Sequence, residues 1–170
     1  YKKNNEFKIT ERRPVIQNID TVPFPEWSLF PMEDYTSCLK FYNSDHGEKS
    51  LGILTTRGCF NRCNFCYRME KSIRLRSIDN VIEEIKSLYK NYGVTYFPMY
   101  DELFVFPKKR VFECAGGLKK NNLKIKYEVN ARVDVFDKET AQCLKESGCQ
   151  FLNFGFESSD QKVLDLMNKH

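Results

Sequence analysis

The stretch Leu51-Gly-Ile-Leu-Thr-Thr56 leads, after two residues, into the loop Cys59-Phe-Asn-Arg-Cys63-Asn-Phe-Cys66. The first segment is a short apolar run with β-branched residues, which predicts a strand. The loop holds three cysteines in a C-x3-C-x2-C pattern, with an aromatic residue before the last one. Ordinary four-iron clusters take four cysteines, so three thiolates would leave one iron open to a small molecule. The spacing therefore predicts a [4Fe–4S] cluster held by Cys59, Cys63 and Cys66.

A structural zinc site is the main alternative from another class of protein. It requires four ligands, usually in two closely spaced pairs. The fourth ligand would have to be Cys38, His46 or Cys114, and none of these forms a second C-x2-C pair. A ferredoxin-like electron carrier would also need a fourth cysteine at motif spacing. A non-catalytic zinc-binding module is kept as the alternative, and iron and sulfide analysis separates it from a cluster.

Composition narrows the class of protein. The chain has 170 residues, a net charge of +4 and seven cysteines. So small a charge gives no reason to expect nucleic-acid binding, and no apolar run reaches the ~18 residues of a membrane span. An odd number of cysteines does not suit a secreted disulfide framework, and no signal peptide opens the chain. We therefore expect a reducing, cytoplasmic setting without a membrane span.

Apolar strands alternate with amphipathic helices along most of the chain. The predicted strands are 51–56, 94–100, 124–129 and 151–156. Ser77 and Gly93 are expected to bound the first helix, Pro107 to start the second, and Asp137 and Ser158 to cap the third and fourth. This alternation produces parallel strands with right-handed crossovers. The predicted fold is α/β, a partial (β/α) barrel with about four strand–helix units, because closure takes eight.

The chain before the first strand has a different character. Residues 1–13 are polar and charged, and we expect a linker there. Residues 14–50 form the expected connector, in which prolines interleave with large apolar side chains. Proline forbids regular helix, yet the apolar side chains need burial, so we expect an extended strap on the surface of the domain. Residues 51–170 are expected to be the N-terminal part of the barrel domain.

Polar side chains follow the strands at the points where the strands end. In parallel βα folds, sites form at the carboxyl ends of the strands. The polar residues there are Tyr100, Asp101 and Glu102 after the second strand, Asn130 and Arg132 after the third, and Glu157 and Ser158 after the fourth. Because they recur at successive strand ends, they predict one shared ligand site beside the cysteine loop.

These motifs together resemble the radical S-adenosylmethionine (SAM) superfamily, and within it the members that carry a cobalamin-binding domain. The resemblance covers about residues 20–169. It rests on the strap and on the segments 55–68, 74–77, 100–104, 130–134, 154–158 and 164–169. Two departures are visible: Asp101-Glu102-Leu-Phe104 matches the acidic segment of the family only loosely, and Ser159 stands where the family often has glycine. The cobalamin-binding motif D-x-H-x-x-G is also absent.

The resemblance implies an enzyme whose open iron chelates the amino and carboxylate groups of SAM. One electron then cleaves SAM to a 5′-deoxyadenosyl radical, which starts hydrogen abstraction or radical methyl transfer. It also implies an external electron donor of flavodoxin or ferredoxin type, a small-molecule or lipid-like substrate, and cobalamin in a longer parent protein. The family domain has six strand–helix units, so this chain resembles its first part. A methylthiotransferase is a second alternative, which would need a second cluster-binding domain.

SAM chemistry then suggests roles for the residues at the strand ends. Asp101 or Glu102 could accept hydrogen bonds from the SAM ammonium. Arg132 could pair with the SAM carboxylate. Glu157 could bind the ribose hydroxyls, and Phe65 could lie near the adenine. The remaining residues expected to bind the cofactor are Tyr100, Asn130 and Ser158.

Overall fold

The computed structural model describes residues 2–3, 5–38, 47–67 and 72–169. His46, the alternative zinc ligand, lies outside the described residues. The strands are β1 (Lys2–Lys3), β2 (Glu6–Phe7), β3 (Lys49–Ser50), β4 (Thr56–Arg57), β5 (Arg74–Leu75), β6 (Val94–Pro98), β7 (Lys126–Ala131) and β8 (Cys149–Phe154). The α-helices are α1 (Met32–Cys38), α2 (Ile78–Tyr92), α3 (Lys108–Lys120), α4 (Lys138–Glu146) and α5 (Gln161–Leu166).

A four-stranded parallel sheet in the order β3-β6-β7-β8 organises the domain. Successive strands are neighbours, and α2, α3 and α4 connect them, as predicted from the alternating pattern. On β7, Tyr127, Val129 and Ala131 are buried, and the Tyr127 hydroxyl lies 2.6 Å from Ser147 Oγ at the end of α4. The alternate residues Glu128 and Asn130 are only half-buried and lie on the other face of the strand. The helices therefore cover one face of the sheet, and the polar strand ends lie on the other.

The strand boundaries differ from the predicted ones by about two residues. The first strand pairs earlier, at β3, and continues only as an isolated bridge between Ile53 and Met99. Gly52 interrupts it where the ring of Tyr100 packs so closely that a Cβ atom would meet the ring at 2.1 Å. β8 begins directly after Gly148, whose carbonyl accepts the Tyr127 N–H at 3.2 Å. Pairing with the neighbouring strand, rather than apolar content alone, thus sets where each strand begins and ends.

The predicted N-terminal boundaries are confirmed for α2, α3 and α4, and the predicted cap of α5 is wrong. Ser77 Oγ accepts the Asn80 N–H at 3.2 Å, and Gly93 ends α2 in a left-handed conformation with φ +71°. Asp137 Oδ1 accepts the Thr140 N–H at 2.9 Å at the start of α4. α5 is capped by Asp160, not Ser158, because Asp160 Oδ1 accepts the Lys162 N–H at 2.8 Å. An aspartate nearer the helix outcompetes the predicted serine for the unpaired N–H groups.

The connector is more regular than an extended strap. It contains short 3-10 turns at Ile19–Thr21 and Trp27–Leu29, followed by α1. Pro31 directly precedes α1, where a missing N–H costs nothing, and its carbonyl accepts the N–H groups of Asp34 and Tyr35. Ile19 and Met32 are buried, and Met32 belongs to the hydrophobic core.

Candidate metal and cofactor site

The cysteine loop begins and ends in a short antiparallel pair of strands. β4 pairs with β5, with Thr56 opposite Leu75 and Arg57 opposite Arg74. Gly58 follows β4 in a left-handed conformation with φ +83°, which favours glycine. The two ends of the segment that carries the three cysteines therefore lie next to each other, at the β4–β5 pair.

A buried ionic network, which we call the base anchor, fixes that point. It consists of Thr55, Thr56, Asp101 and Arg110. The N–H groups of Thr55 and Thr56 donate to Asp101 Oδ1 at 2.7 and 2.8 Å, and the Thr55 hydroxyl donates to Oδ2. Asp101 is fully buried. Its carboxylate therefore holds the backbone that enters the cysteine loop.

Arg110, from α3, completes the base anchor. Its Nη2 donates to Thr55 O at 3.0 Å and its Nη1 to Arg76 O at 2.6 Å, and it is buried. Burial raises the pKa of Asp101, whereas the hydrogen bonds from Thr55 and Thr56 and the charge of Arg110 act in the opposite direction. Burial likewise lowers the pKa of Arg110, and Asp101 opposes that shift. Each charge thus offsets part of the other's desolvation.

A second set of contacts, which we call the tip clamp, holds the middle of the loop. It joins Arg62 and Asn64 to Leu166, Met167 and Asn168 at the end of α5. The Asn64 N–H donates to Met167 O at 2.9 Å, and Asn64 Nδ2 donates to Leu166 O at 2.9 Å. In return, Asn168 Nδ2 donates to Arg62 O at 2.7 Å.

Lys169 extends from the tip clamp to the end of β8. Its Nζ donates to Gly155 O at 2.7 Å and to Glu157 Oε1 at 2.8 Å, and lies 6.0 Å from the centre of the Phe65 ring. A Cβ atom on Gly155 would come within 2.8 Å of Glu157 Oε1 and 3.2 Å of Lys169 Nζ. Glycine at position 155 therefore leaves room for this lysine–glutamate contact.

A cavity of about 540 Å³ lies between the cysteine loop and the strand ends. Its lining residues are Cys59, Asn61, Cys63, Phe65, Cys66, Tyr67, Glu102, Asn130, Ala131, Arg132, Asn153, Phe154, Gly155, Glu157 and Lys169. The volume falls within the roughly 300–1,000 Å³ of typical small-molecule sites. A larger groove of about 1170 Å³ lies between α3 and α4. None of the three loop cysteines lines that groove, so the smaller cavity is the candidate site.

The three loop thiols are close enough to influence one another. Burial raises the pKa of the Cys66 thiol, and the charges of Cys63 and Cys59 raise it further, while Lys169 lowers it. Asn61 Nδ2 donates to Cys59 Sγ at 3.4 Å. Within the described ranges, no three His, Cys, Asp or Glu side chains are grouped as ligands of one metal ion. A four-iron cluster binds each thiolate through a different iron, so its ligands need not converge on one point. The donor set therefore fits a cluster.

The structure brings most of the predicted site residues to this cavity. Those that line it are Cys59, Cys63, Phe65, Cys66, Glu102, Asn130, Arg132 and Glu157. Asp101 lies beneath the loop, with both carboxylate oxygens occupied by Thr55 and Thr56. Tyr100 instead lines a cleft beside the connector, and the Ser158 hydroxyl accepts the Asp160 N–H at 3.1 Å.

Arg132 is held in place by a neighbouring carboxylate. Its Nε lies 2.8 Å from Asp134 Oδ1, and its Nη2 lies 3.0 Å from Asp134 Oδ2. This hydrogen-bonded pair raises the pKa of Arg132 and lowers that of Asp134. Asp134 therefore orients the guanidinium, a role that the sequence did not indicate.

Sequence reasoning missed seven of the residues that line the cavity. They are Asn61, Tyr67, Ala131, Asn153, Phe154, Gly155 and Lys169. Lys169 lies in a segment that resembles the family, but that resemblance suggested no role for it. Asn153 was hidden inside a predicted strand, where only its register opposite Asn130 shows that both lie on the same face.

Comparison with known proteins decides the family. The sequence profile of the Radical SAM superfamily matches residues 53–170. The chain belongs to the radical SAM superfamily. An uncharacterized methyltransferase from Pyrococcus horikoshii is 32% identical over 172 residues, which cover 99% of this chain and 36% of that protein. An anaerobic magnesium-protoporphyrin IX monomethyl ester cyclase from Cereibacter sphaeroides is 27% identical, with 97% of this chain and 27% of that protein covered.

A solved structure supports the fold. The radical SAM methyltransferase TsrM from Kitasatospora setae, solved with cobalamin and a [4Fe–4S] cluster, aligns with a TM-score of 0.60 at 23% identity. The alignment covers 69% of this chain and 22% of that one. The predicted α/β partial-barrel fold is confirmed. Membership of the radical SAM superfamily, a family of enzymes that use a [4Fe–4S] cluster and SAM, is confirmed as well. The chain spans about a third of the length of the curated relatives it matches.

Proposed function

We propose that this radical SAM domain holds a [4Fe–4S] cluster through Cys59, Cys63 and Cys66 and binds SAM in the adjoining cavity. One observation carries the proposal: the three motif thiols line the same 540 Å³ cavity as polar side chains from the ends of neighbouring strands. Family membership supports the cluster over a structural zinc site. The cluster, when bound, would supply the electron for reductive cleavage of SAM.

The side chains that line the cavity can be matched to the chemical groups of SAM. Glu102 is the proposed acceptor for the SAM ammonium, because it lines the cavity, whereas Asp101 is engaged in the base anchor. Arg132, oriented by Asp134, is the proposed partner of the SAM carboxylate. Glu157 and Phe65 lie together around Lys169 and are the proposed contacts for ribose and adenine.

The substrate and the cellular setting form the broader part of the proposal. Among the described residues, no helix combines the length and apolar content needed to cross a membrane. All seven cysteines are free thiols, which suits a reducing, cytoplasmic setting. Of the two relatives described above, one is named as a methyltransferase and the other as a cyclase. We therefore favour radical methyl transfer or a related reaction on a small-molecule or lipid-like substrate, with an external electron donor and with cobalamin in a longer parent protein.

The division of the chain supports the same proposal. Residues 1–13 would act as a linker and residues 14–50 as a connector, leading into the barrel part at residues 51–170. Burial of Ile19 and the contact of Met32 with the core support a connector that packs on the domain.

Paired cysteine variants test the cluster assignment. Cys63 and Cys114 are both buried, but only Cys63 lines the cavity. After anaerobic reconstitution, Cys63→Ala should lose most of its iron and acid-labile sulfide, whereas Cys114→Ala should keep both. Equal iron and sulfide in the two variants, or zinc in place of iron, would reject the assignment.

The SAM site is tested by electron paramagnetic resonance of the reduced cluster. SAM should shift the spectrum of the reconstituted wild-type protein. Glu157→Gln should raise the SAM concentration needed for half of that shift by roughly tenfold or more, because a charge-assisted contact is weakened. Glu146→Gln, in the outer groove, is the control and should behave as wild type. A spectrum that SAM leaves unchanged at saturating concentration would contradict the proposal.

A further inference from the structure

The tip clamp joins two segments that are far apart in the chain. Its side-chain hydrogen bonds connect residues separated by 102 and 106 positions. Each asparagine amide donates to a backbone carbonyl of the other segment: Asn64 to Leu166 and Asn168 to Arg62. The last carbonyls of a helix have no partner inside the helix, so Asn64 satisfies groups that α5 leaves open.

The conformation of Asn168 directs the chain from the loop towards the other wall of the cavity. It adopts φ +52°, a left-handed conformation that asparagine tolerates better than most residues. The next residue, Lys169, donates its N–H to Leu164 O at 2.9 Å and sends its ammonium to Gly155 and Glu157. One short turn thus contacts the cysteine loop on one side and the proposed ribose-binding wall on the other.

From this geometry we infer that Asn64 and Asn168 are positioning residues that couple the cluster site to the SAM site. Neither residue lines the cavity, so neither is needed to ligate iron or to contact SAM. The inference rests on the proposed function, although the hydrogen bonds it uses are present without any cofactor. Ordering of the loop by a cluster would stabilise the α5 turn and hence the Lys169–Glu157 contact, and SAM affinity would rise. Such coupling is reciprocal, because binding free energies are linked.

The test compares Asn64→Ala and Asn168→Gly with Asn122→Gly in the full chain. Glycine at position 168 keeps the left-handed conformation while removing the amide. Asn122 is a matched control, because it has φ +51° at the end of α3 and lies in the outer groove, away from the loop.

Amide hydrogen exchange of the cofactor-free protein measures whether the tip clamp is formed. Asn64→Ala and Asn168→Gly should speed amide exchange in both residues 58–67 and residues 161–169, and Asn122→Gly should change neither segment. In reconstituted protein, the two clamp variants should keep wild-type iron per chain. They should nevertheless need about three- to tenfold more SAM for half of the spectral shift, the size expected for one hydrogen bond.

Two results would overturn the coupling. One is a SAM midpoint in both clamp variants equal to that of wild type, and the other is a loss of iron in proportion to the loss of SAM response. A wild-type protein that does not respond to SAM would overturn the coupling together with the proposed function. The exchange measurement would then still show whether the two segments are joined, so the two failures are distinguishable.

Discussion

The base anchor and the tip clamp hold the same loop by opposite physical means. The base anchor is buried and charged: Asp101 is 0% and Arg110 is 4% exposed. The tip clamp is neutral and near the surface, since it consists of amide N–H groups and backbone carbonyls around the exposed Asn64. Leaving buried donors without an acceptor is strongly destabilising, whereas a neutral hydrogen bond at the surface contributes little net free energy.

The difference between the two sets of contacts separates residues that stabilise the fold from residues that affect ligand binding. The base anchor joins the first two strand–helix units, because Thr55 belongs to the first and Asp101 and Arg110 to the second, so it forms only when the sheet and α3 are assembled. The tip clamp adds a local connection that can open without unfolding the core. Regions of low local stability are the ones that respond to ligands. We therefore expect variants of the base anchor to change the free energy of unfolding, and variants of the tip clamp to change SAM binding.

The largest effect is expected from Asp101→Ala. The substitution leaves the N–H groups of Thr55 and Thr56 without their acceptor and removes the negative charge that opposes the desolvation of buried Arg110. Each buried donor left unsatisfied costs about 1–3 kcal/mol, so we expect the free energy of unfolding to fall by about 3–5 kcal/mol. Urea denaturation of the cofactor-free protein, followed by circular dichroism, measures this change.

Asp101→Asn is the matched control for that experiment. Its amide oxygen can accept the same two N–H groups and its amide nitrogen can donate to Thr55 Oγ1, so only the charge is lost. The loss should be smaller than for Asp101→Ala. A loss below about 1 kcal/mol for Asp101→Ala would show that the buried hydrogen bonds of Asp101 do not stabilise the fold.

The dependence of stability on pH should also separate the two regions. Burial raises the pKa of Asp101 above its ordinary value of 3.8, so the folded state binds this proton more tightly than the unfolded state. The stability that wild type gains from this group is therefore complete below pH 3.8 and is lost as pH rises through the raised pKa. The free energy of unfolding of wild type minus that of Asp101→Asn should decline over this window.

Asn168→Gly provides the comparison, because its amide does not titrate. The difference between its stability and that of wild type should stay constant over the same pH range, measured by urea denaturation at several pH values. If the difference between wild type and Asp101→Asn instead increased with pH, the donors and Arg110 would outweigh burial, and the pKa of Asp101 would be lowered.

The features that could be predicted are those that produce a regular spacing or alternation in the sequence. The cysteine spacing located the loop, and apolar alternation with helix caps located the sheet and the helices. The position of Asp101 at a strand end was predicted correctly, but the direction of its side chain was not. A side chain at a strand end can turn towards the cavity or under the loop, and only three-dimensional packing decides between them. Here the two N–H groups at Thr55 and Thr56 needed an acceptor, and Asp101 supplies it.

The tip clamp was not predictable, for a different reason. Its bonds join asparagine amides to backbone carbonyls, and every residue offers a carbonyl, so no sequence pattern marks the partners. Ser158 illustrates the converse case, in which a favourable pattern failed because Asp160 lies closer to the start of α5.

The smallest effect on stability is expected from the tip clamp. Asn64→Ala removes one side-chain hydrogen bond but keeps the backbone N–H of residue 64, which still can donate to Met167 O. Because the contact is exposed, water replaces the lost partner, and the free energy of unfolding should change by no more than the roughly 1 kcal/mol of one hydrogen bond. Urea denaturation of cofactor-free Asn64→Ala and Asp101→Ala, under identical conditions, measures both. A loss for Asn64→Ala comparable with that for Asp101→Ala would mean that the loop tip is part of the cooperative folding unit, and the separation between folding and response would be wrong.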